Sequence, residues 1–246
     1  MNQTVDREMT TKRLEGRIAL ITGASRGIGR AVAKRYASEG AQLILVARTS
    51  GALEEVDDEI RDLSGEGAML VPLDLCQGGL IDQLGAALFE RFGRLDILVG
   101  NAAMLGGLRP VGHYPPDVWQ EVVDINLTAN WRLIRSLDPL LRLSEAGRAM
   151  FVTSGVTECD PHLPFWAAYT ATKAALEALV RTYAAELKRT NIKANIIDPG
   201  TAATNMRAEA FPGEDPATLA APDDITERFV ELAEASYGEN GIKVFV

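Results

Sequence analysis

The sequence predicts a single doubly wound α/β domain with a mostly parallel sheet and helices on both faces. Three observations carry this. Short apolar runs recur along the chain at RIALIT (17–22), QLILVA (42–47), AMLVPL (68–73), LDILVG (95–100), AMFVTS (149–154) and IKANII (192–197). The runs lack polar alternation, which is the pattern of strands buried on both faces. Between them lie segments long enough for helices, such as GRAVAKRYASEG and GALEEVDDEIRDL, and strands joined through helices run parallel with right-handed crossovers. No repeat, low-complexity tract or Pro/Gly/Ser linker divides the chain.

Composition narrows the function classes. At 246 residues, with 47% hydrophobic and 24% charged side chains, the chain has the balance of a globular protein with a sizeable core. Lys plus Arg number 25 against 34 Asp plus Glu, and a net charge of −9 gives no footprint for nucleic acid or an anionic membrane surface. Two cysteines, Cys76 and Cys159, form no paired framework or metal-site spacing, so no metal is expected. Residues 1–13 read as a disordered N-terminal extension without the apolar core of a signal peptide, and residues 14–246 as the domain. No run approaches a membrane span, and the expected location is the cytoplasm.

The first strand runs into TGASRGIGRAVAKRYASEGA, with Gly23, Gly27 and Gly29 between strand and helix. Glycines there permit a tight turn and close backbone approach, and the helix N-terminus offers free N–H groups to a pyrophosphate. The spacing is GxxxGxG, and on this evidence alone a methyltransferase remains open. The second strand ends at Ala47 and Arg48. An acidic residue here would bind the ribose hydroxyl of NAD, whereas a guanidinium suits a 2′-phosphate, with Arg26 as a second positive charge. NADP(H) is favoured and NAD(H) stays possible. The third strand passes into LDLCQGGLIDQL, where Asp74 is either a ligand contact or a helix cap.

Farther along, AAYTATKAALEALV carries Tyr169 and Lys173 four places apart, on one helix face. The pair taken alone reads as a snorkelling surface pair rather than as chemistry.

With TGASRGIG, NAA (101–103), DINL (124–127), VTS (152–154), YTATK (169–173) and DPG (198–200) all in order, the chain resembles the short-chain dehydrogenase/reductases from about Leu14 to its end. That resemblance implies a Rossmann-type domain with a seven-stranded sheet, and it removes the methyltransferase, which has no use for the Tyr–Lys pair. It implies catalytic roles for Asn126, Ser154, Tyr169 and Lys173. Tyr169 would be the general acid or base, with its phenol pKa lowered by the Lys173 ammonium, which would also hold the nicotinamide ribose. Ser154 would orient the substrate oxygen, and Asn126 would anchor a water leading to Lys173. Gly23, Ser25, Arg26, Gly27, Ile28 and Gly29 would bind the cofactor phosphates, and Arg48 the adenosine ribose phosphate. Asp74 and Leu75 would meet the adenine, Asn101 and Ala102 the ribose, and Pro199, Gly200 and Thr204 the nicotinamide. RSLDPLLRLSEAG, WQEVVDINLTANW and MRAEAFPGEDP resemble a poorly defined bacterial 3-oxoacyl-reductase-like subgroup.

Departures from the family are local. Ala103 stands where many members have glycine, and Ser154 and Tyr169 are fifteen positions apart, two more than is commonest. The longer loop carries Glu158, His162, Phe165 and Trp166 near the substrate, with His162 read as polar surface rather than a second acid or base. Residues 201–220 read as a lid whose Met206 and Phe211 give partly apolar walls. The C-terminal GIKVFV lacks the glycine-rich tail of many relatives.

The reading is an NADP(H)-dependent oxidoreductase of a small carbonyl or alcohol substrate. Its competitors are an NAD-linked hydroxysteroid or sugar dehydrogenase, which Ala47 and Arg48 oppose, and a nucleotide sensor without turnover, which the Asn–Ser–Tyr–Lys set opposes. A homo-oligomer, tetramer or dimer, is expected through residues 117–143 and 169–189. There Leu176, Leu179, Val180, Tyr183 and Leu187 make one apolar stripe and Ala171, Ala174, Ala175, Ala178 and Ala185 a second of small side chains.

Overall fold

The apolar run IALIT folds as β1 (Ile18–Thr22), buried at every position. It leads into α1 (Gly27–Ser38), β2 (Gln42–Ala47), α2 (Ser50–Ser64), β3 (Met69–Pro72), α3 (Gly78–Phe92) and β4 (Ile97–Gly100). The second half continues through α4 (Pro116–Val123), a π-helical turn at Asp124–Thr128, α5 (Ala129–Arg142) and β5 (Arg148–Val152). It ends with α6 (Ala167–Glu186), β6 (Lys193–Asp198), α7 (Asn205–Ala210), α8 (Thr226–Ala233) and β7 (Lys243–Phe245). This computed structural model describes residues 12–158 and 163–246.

The strands form one sheet in the order β3-β2-β1-β4-β5-β6-β7, and all six pairings are parallel. The sheet is thus wholly parallel where the sequence predicts a mostly parallel one. Successive side chains point to opposite faces, so each strand feeds two cores. Leu20, Leu98, Phe151 and Ile196 pack with Leu133, Leu137, Leu176 and Val180. Ile21, Val99, Met150 and Ile197 pack with Val32, Tyr36 and Phe229. The wholly buried Tyr36 satisfies its hydroxyl on the Phe229 carbonyl at 2.7 Å.

Strand limits shift by a residue or two from the apolar runs. Leu95 and Asp96 precede β4, because the Asp96 carboxylate accepts from the Ile18 N–H and its carbonyl from the Arg148 N–H, tying three strand starts together. Thr153 and Ser154 leave the sheet after β5. Arg13, counted with the N-terminal extension on sequence, pairs with Glu227 and Glu234; residues 1–11 lie outside the described residues. No described helix is long and apolar enough to cross a membrane.

The chain direction across the sheet reverses between β1 and β4. Crossovers leave these two strands on opposite faces, which opens a crevice beyond their carboxyl ends.

Candidate active site

The glycine turn fills one end of that crevice. Gly23 has φ +64°, the left-handed region that disfavours side chains, and a Cβ on Gly29 would collide with the Gly23 carbonyl. These two glycines let α1 start directly against the end of β1. Arg26, which precedes α1, makes no side-chain cap, so the first-turn N–H groups are available to an anion. Thr22, buried and not singled out on sequence, locks the turn to the next segment. Its Oγ1 accepts from the N–H groups of Asn101 and Ala102, each at 3.0 Å, while Asn101 Nδ2 donates to the Thr22 carbonyl at 2.8 Å. Asn101 therefore braces the turn as well as facing the crevice.

The crevice encloses about 1250 Å³. Its wall includes Gly23, Ser25, Arg26, Gly27, Ile28 and Arg48 at one end, and Asp74, Leu75, Asn101, Ala102 and Ala103 along the side. Tyr169, Lys173 and Pro199 lie at the other end and Thr204 stands beside Gly27, whereas Gly29, Asn126, Ser154 and Gly200 are not part of the wall. Arg30 is paired with Glu59, and Lys34 with Glu59 and Asp223. Arg26 and Arg48 have no acidic partner among the described residues, leaving two cations at the phosphate end. Asp74 is not the cap of α3; its carboxylate accepts from the Cys76 N–H at 3.0 Å in a turn before the helix and still faces the crevice. An open glycine cradle with free cations at one end and a Tyr–Lys pair at the other fits a phosphorylated dinucleotide.

At the far end α6 places Tyr169 and Lys173 one turn apart, both buried. The Ser154 side chain faces the Tyr169 phenol and favours its ionised form. Lys173 Nζ donates to the Val152 carbonyl at 2.6 Å and lies 5.8 Å from the Tyr169 ring centroid. Burial acts on both groups, which the spacing alone does not show. It pushes the phenol up to about 12, with Ser154 lowering it and Asp198 raising it further. Burial also brings the Lys173 ammonium down to about 8. Desolvation is the largest cause for both groups, and the lysine's hydrogen bond goes to the Val152 carbonyl.

Asn126 sits in the π-helical turn, fully buried. Its amide accepts from the Met104 N–H at 2.9 Å and donates to the Met104 carbonyl at 3.0 Å and Thr172 Oγ1 at 3.1 Å. These bonds join the loop after β4 to α6 and occupy the side chain that the resemblance assigns to a water.

The substrate side is aromatic. Trp166 meets Tyr169 edge-to-face at 6.0 Å and Phe211 at 5.8 Å, and the Arg207 guanidinium covers Phe211 at 3.7 Å while pairing with Glu214 at 2.6 Å. Phe211 thereby rests on Trp166, the residue that meets the phenol. Thr204, expected at the cofactor, also caps α7 by accepting from the Arg207 N–H. Phe165 adopts φ 76°, an uncommon conformation for an aromatic residue, and its carbonyl accepts from the Arg109 N–H at 3.0 Å and the Tyr114 hydroxyl at 3.1 Å. Glu158 pairs with Lys243, while Cys159 and His162 lie outside the described residues.

A family model described as short chain dehydrogenase matches residues 17–215. The oxidoreductase YciK of Escherichia coli K12 is 38% identical over 221 residues, covering 89% of this chain and 86% of its own. The crystal structure of E. coli YciK superposes with a TM-score of 0.90 at 36% identity over 96% of both chains. A short chain dehydrogenase from E. coli CFT073, solved in complex with NADPH, gives 0.91 at 36% identity over 96% of this chain and 98% of its own. A match spanning the glycine turn and the Tyr–Lys helix, on a shared fold, makes this chain a member of the short-chain dehydrogenase family of oxidoreductases.

Proposed function

We propose that this protein is an NADP(H)-dependent reductase of small carbonyl compounds, the reverse alcohol oxidation running at the same site. The observation that carries the reading is the shared crevice. It holds Arg26 and Arg48, which have no acidic partner among the described residues, at its phosphate end and Tyr169, faced by Ser154, with Lys173 at the other. The NADPH complex of the E. coli CFT073 relative supports the same cofactor.

When bound, the cofactor supplies the hydride. In this reading Arg48 and Arg26 hold the adenosine 2′-phosphate, the α1 N-terminus and the glycine turn hold the pyrophosphate, and Lys173 holds the nicotinamide ribose. Asn101, Ala102, Asp74 and Leu75 take the adenosine, and Pro199, Gly200 and Thr204 bound the nicotinamide. Tyr169 acts as the general acid. A phenol held near pKa 12 is protonated at neutral pH, which is the form that delivers a proton to a carbonyl oxygen. Ser154, which faces that phenol, donates to the same oxygen and fixes its position. Asn126 holds Met104 against α6 and so fixes the wall beside Lys173. Trp166, Phe211 and Met206 close the substrate side and exclude water.

The domain in this reading is residues 14–246 with the lid at 201–220. The protein works in the cytoplasm, where the exposed Cys76 thiol stays reduced. It assembles as a dimer or tetramer through α4, α5 and α6. A panel of ketones, aldehydes and alcohols, followed by nicotinamide absorbance with each cofactor, tests the reading. Consumption of NADPH with a carbonyl supports it, and activity confined to NAD with sugars or steroids replaces it.

A further inference from the structure

The same face of α6 that carries Tyr169 and Lys173 presents Glu177 one turn farther on, and Glu177 is nearly as buried. Its Oε1 accepts from Thr153 Oγ1 at 2.8 Å and Thr157 Oγ1 at 2.6 Å, one residue before and three residues after Ser154. Thr157 is turned back on Ser154 as well. Its N–H donates to the Ser154 carbonyl at 3.1 Å and its hydroxyl lies 2.9 Å from the same atom. One carboxylate therefore clamps the serine loop at both ends.

A single cation completes the clamp. Lys243, on the last strand, inserts an ammonium whose side chain is only 8% exposed. Its Nζ lies 3.1 Å from Glu177 Oε1, 2.8 Å from Glu158 Oε1 and 3.5 Å from Asp198 Oδ2, and it donates to Thr157 Oγ1 at 2.9 Å. Arg181 meets the other Glu177 oxygen at 3.0 Å from the solvent side. Without Lys243, the buried Glu177 and Asp198 would face each other with no interior cation between them, a costly arrangement that the loop would relieve by opening.

We propose that Lys243 and Glu177 are positioning residues for Ser154, by which the C-terminal strand fixes the serine hydroxyl against the Tyr169 phenol. The proposal rests on the reductase reading for its consequence, because a displaced Ser154 slows the chemical step without touching the phosphate end of the crevice. A misplacement of about 1 Å at a reacting group can cost about a hundredfold.

The test compares wild type, Lys243→Met and the milder Glu177→Gln with NADPH and 4-nitrobenzaldehyde, alongside amide hydrogen exchange of the NADPH complex. In Lys243→Met, kcat falls by about tenfold or more while the NADPH dissociation constant stays within about twofold. Exchange at residues 153–158 quickens by about tenfold and exchange along residues 173–186 does not. Glu177→Gln moves kcat and loop exchange in the same direction by less, and carries the test if Lys243→Met does not fold. Unchanged kcat with unchanged loop exchange overturns the proposal. So does loosening of the whole helix, or a loss of NADPH affinity in step with kcat. If wild type leaves 4-nitrobenzaldehyde untouched, the reductase reading fails for that substrate, and the local exchange alone decides the positioning claim.

Discussion

The Lys173 ammonium donates to the Val152 carbonyl at the end of β5, 2.6 Å away, in a site where the lysine is 1% exposed. A charged group so buried is opposed by desolvation, and its folded value drops to about 8 from the ordinary 10.5. The folded protein therefore releases this proton before the unfolded chain does. Between about pH 8 and 10.5 the unfolded state binds more protons, so this group makes stability rise with pH across that window. Below pH 8 the penalty is present in full. Relative to Lys173→Met, wild type should gain on the order of 3 kcal/mol from pH 7 to pH 10.5 in urea denaturation. Parallel pH profiles for the two proteins would contradict it.

The cofactor preference rests on Arg48 beside Ala47. Charge-assisted hydrogen bonds contribute roughly 1.5–3 kcal/mol each, so Arg48→Ala should weaken NADPH by about tenfold to a hundredfold and leave NADH nearly unchanged. Ala47→Asp should reverse the preference, since a carboxylate accepts from a ribose hydroxyl and repels a phosphate. Dissociation constants for both cofactors on wild type and the two variants check this. Equal wild-type affinities for NADH and NADPH would end the NADP assignment.

Gly29 offers a test of the turn itself. Because an added Cβ would meet the Gly23 carbonyl, Gly29→Ala must push α1 away from β1 and pull the glycine turn out of register. NADPH affinity should fall by about tenfold or more while Tyr169 and Lys173 keep their places, as titration calorimetry can show.

Assembly is predicted from what α6 leaves uncovered. Leu176, Val180, Tyr183 and Leu187 are buried within the chain, whereas Ala171, Ala178 and Ala185 are exposed, and Trp119 and Trp131 on α4 and α5 are also partly exposed. Light scattering at micromolar concentration should give a dimer or tetramer, and Ala178→Arg should reduce it to monomer. A monomeric wild type would sink the prediction.

How much of this was legible in the sequence differs by element. Six strands announced themselves as apolar runs, five because their side chains are largely buried, while the edge strand β3 is apolar though only half-buried. The seventh, Lys243–Phe245, did not, because it is three residues long and carries the lysine that serves the buried cluster. The glycine turn and the Tyr–Lys spacing are local signals and were read. What failed to show was anything that depends on distant segments meeting. Thr22 receives Asn101 and Ala102, Glu177 clamps the serine loop, and burial rather than charge decides the Tyr169 proton. Asp74 was readable as a turn-maker or a ligand, and the structure shows the turn while leaving the side chain at the crevice.

The proposed reduction turns on Tyr169 as the acid that protonates the substrate oxygen. Removing only its hydroxyl, as Tyr169→Phe, takes away the proton donor and few cofactor contacts, and general acid catalysis contributes typically about 10²–10⁴-fold. Measured on a carbonyl that wild type reduces, NADPH oxidation by Tyr169→Phe should fall by about that factor, with the NADPH dissociation constant within about twofold of wild type. Lys173→Ala should lower both. Near wild-type turnover by Tyr169→Phe would contradict the assignment and, with it, the mechanism built on Tyr169 and Ser154.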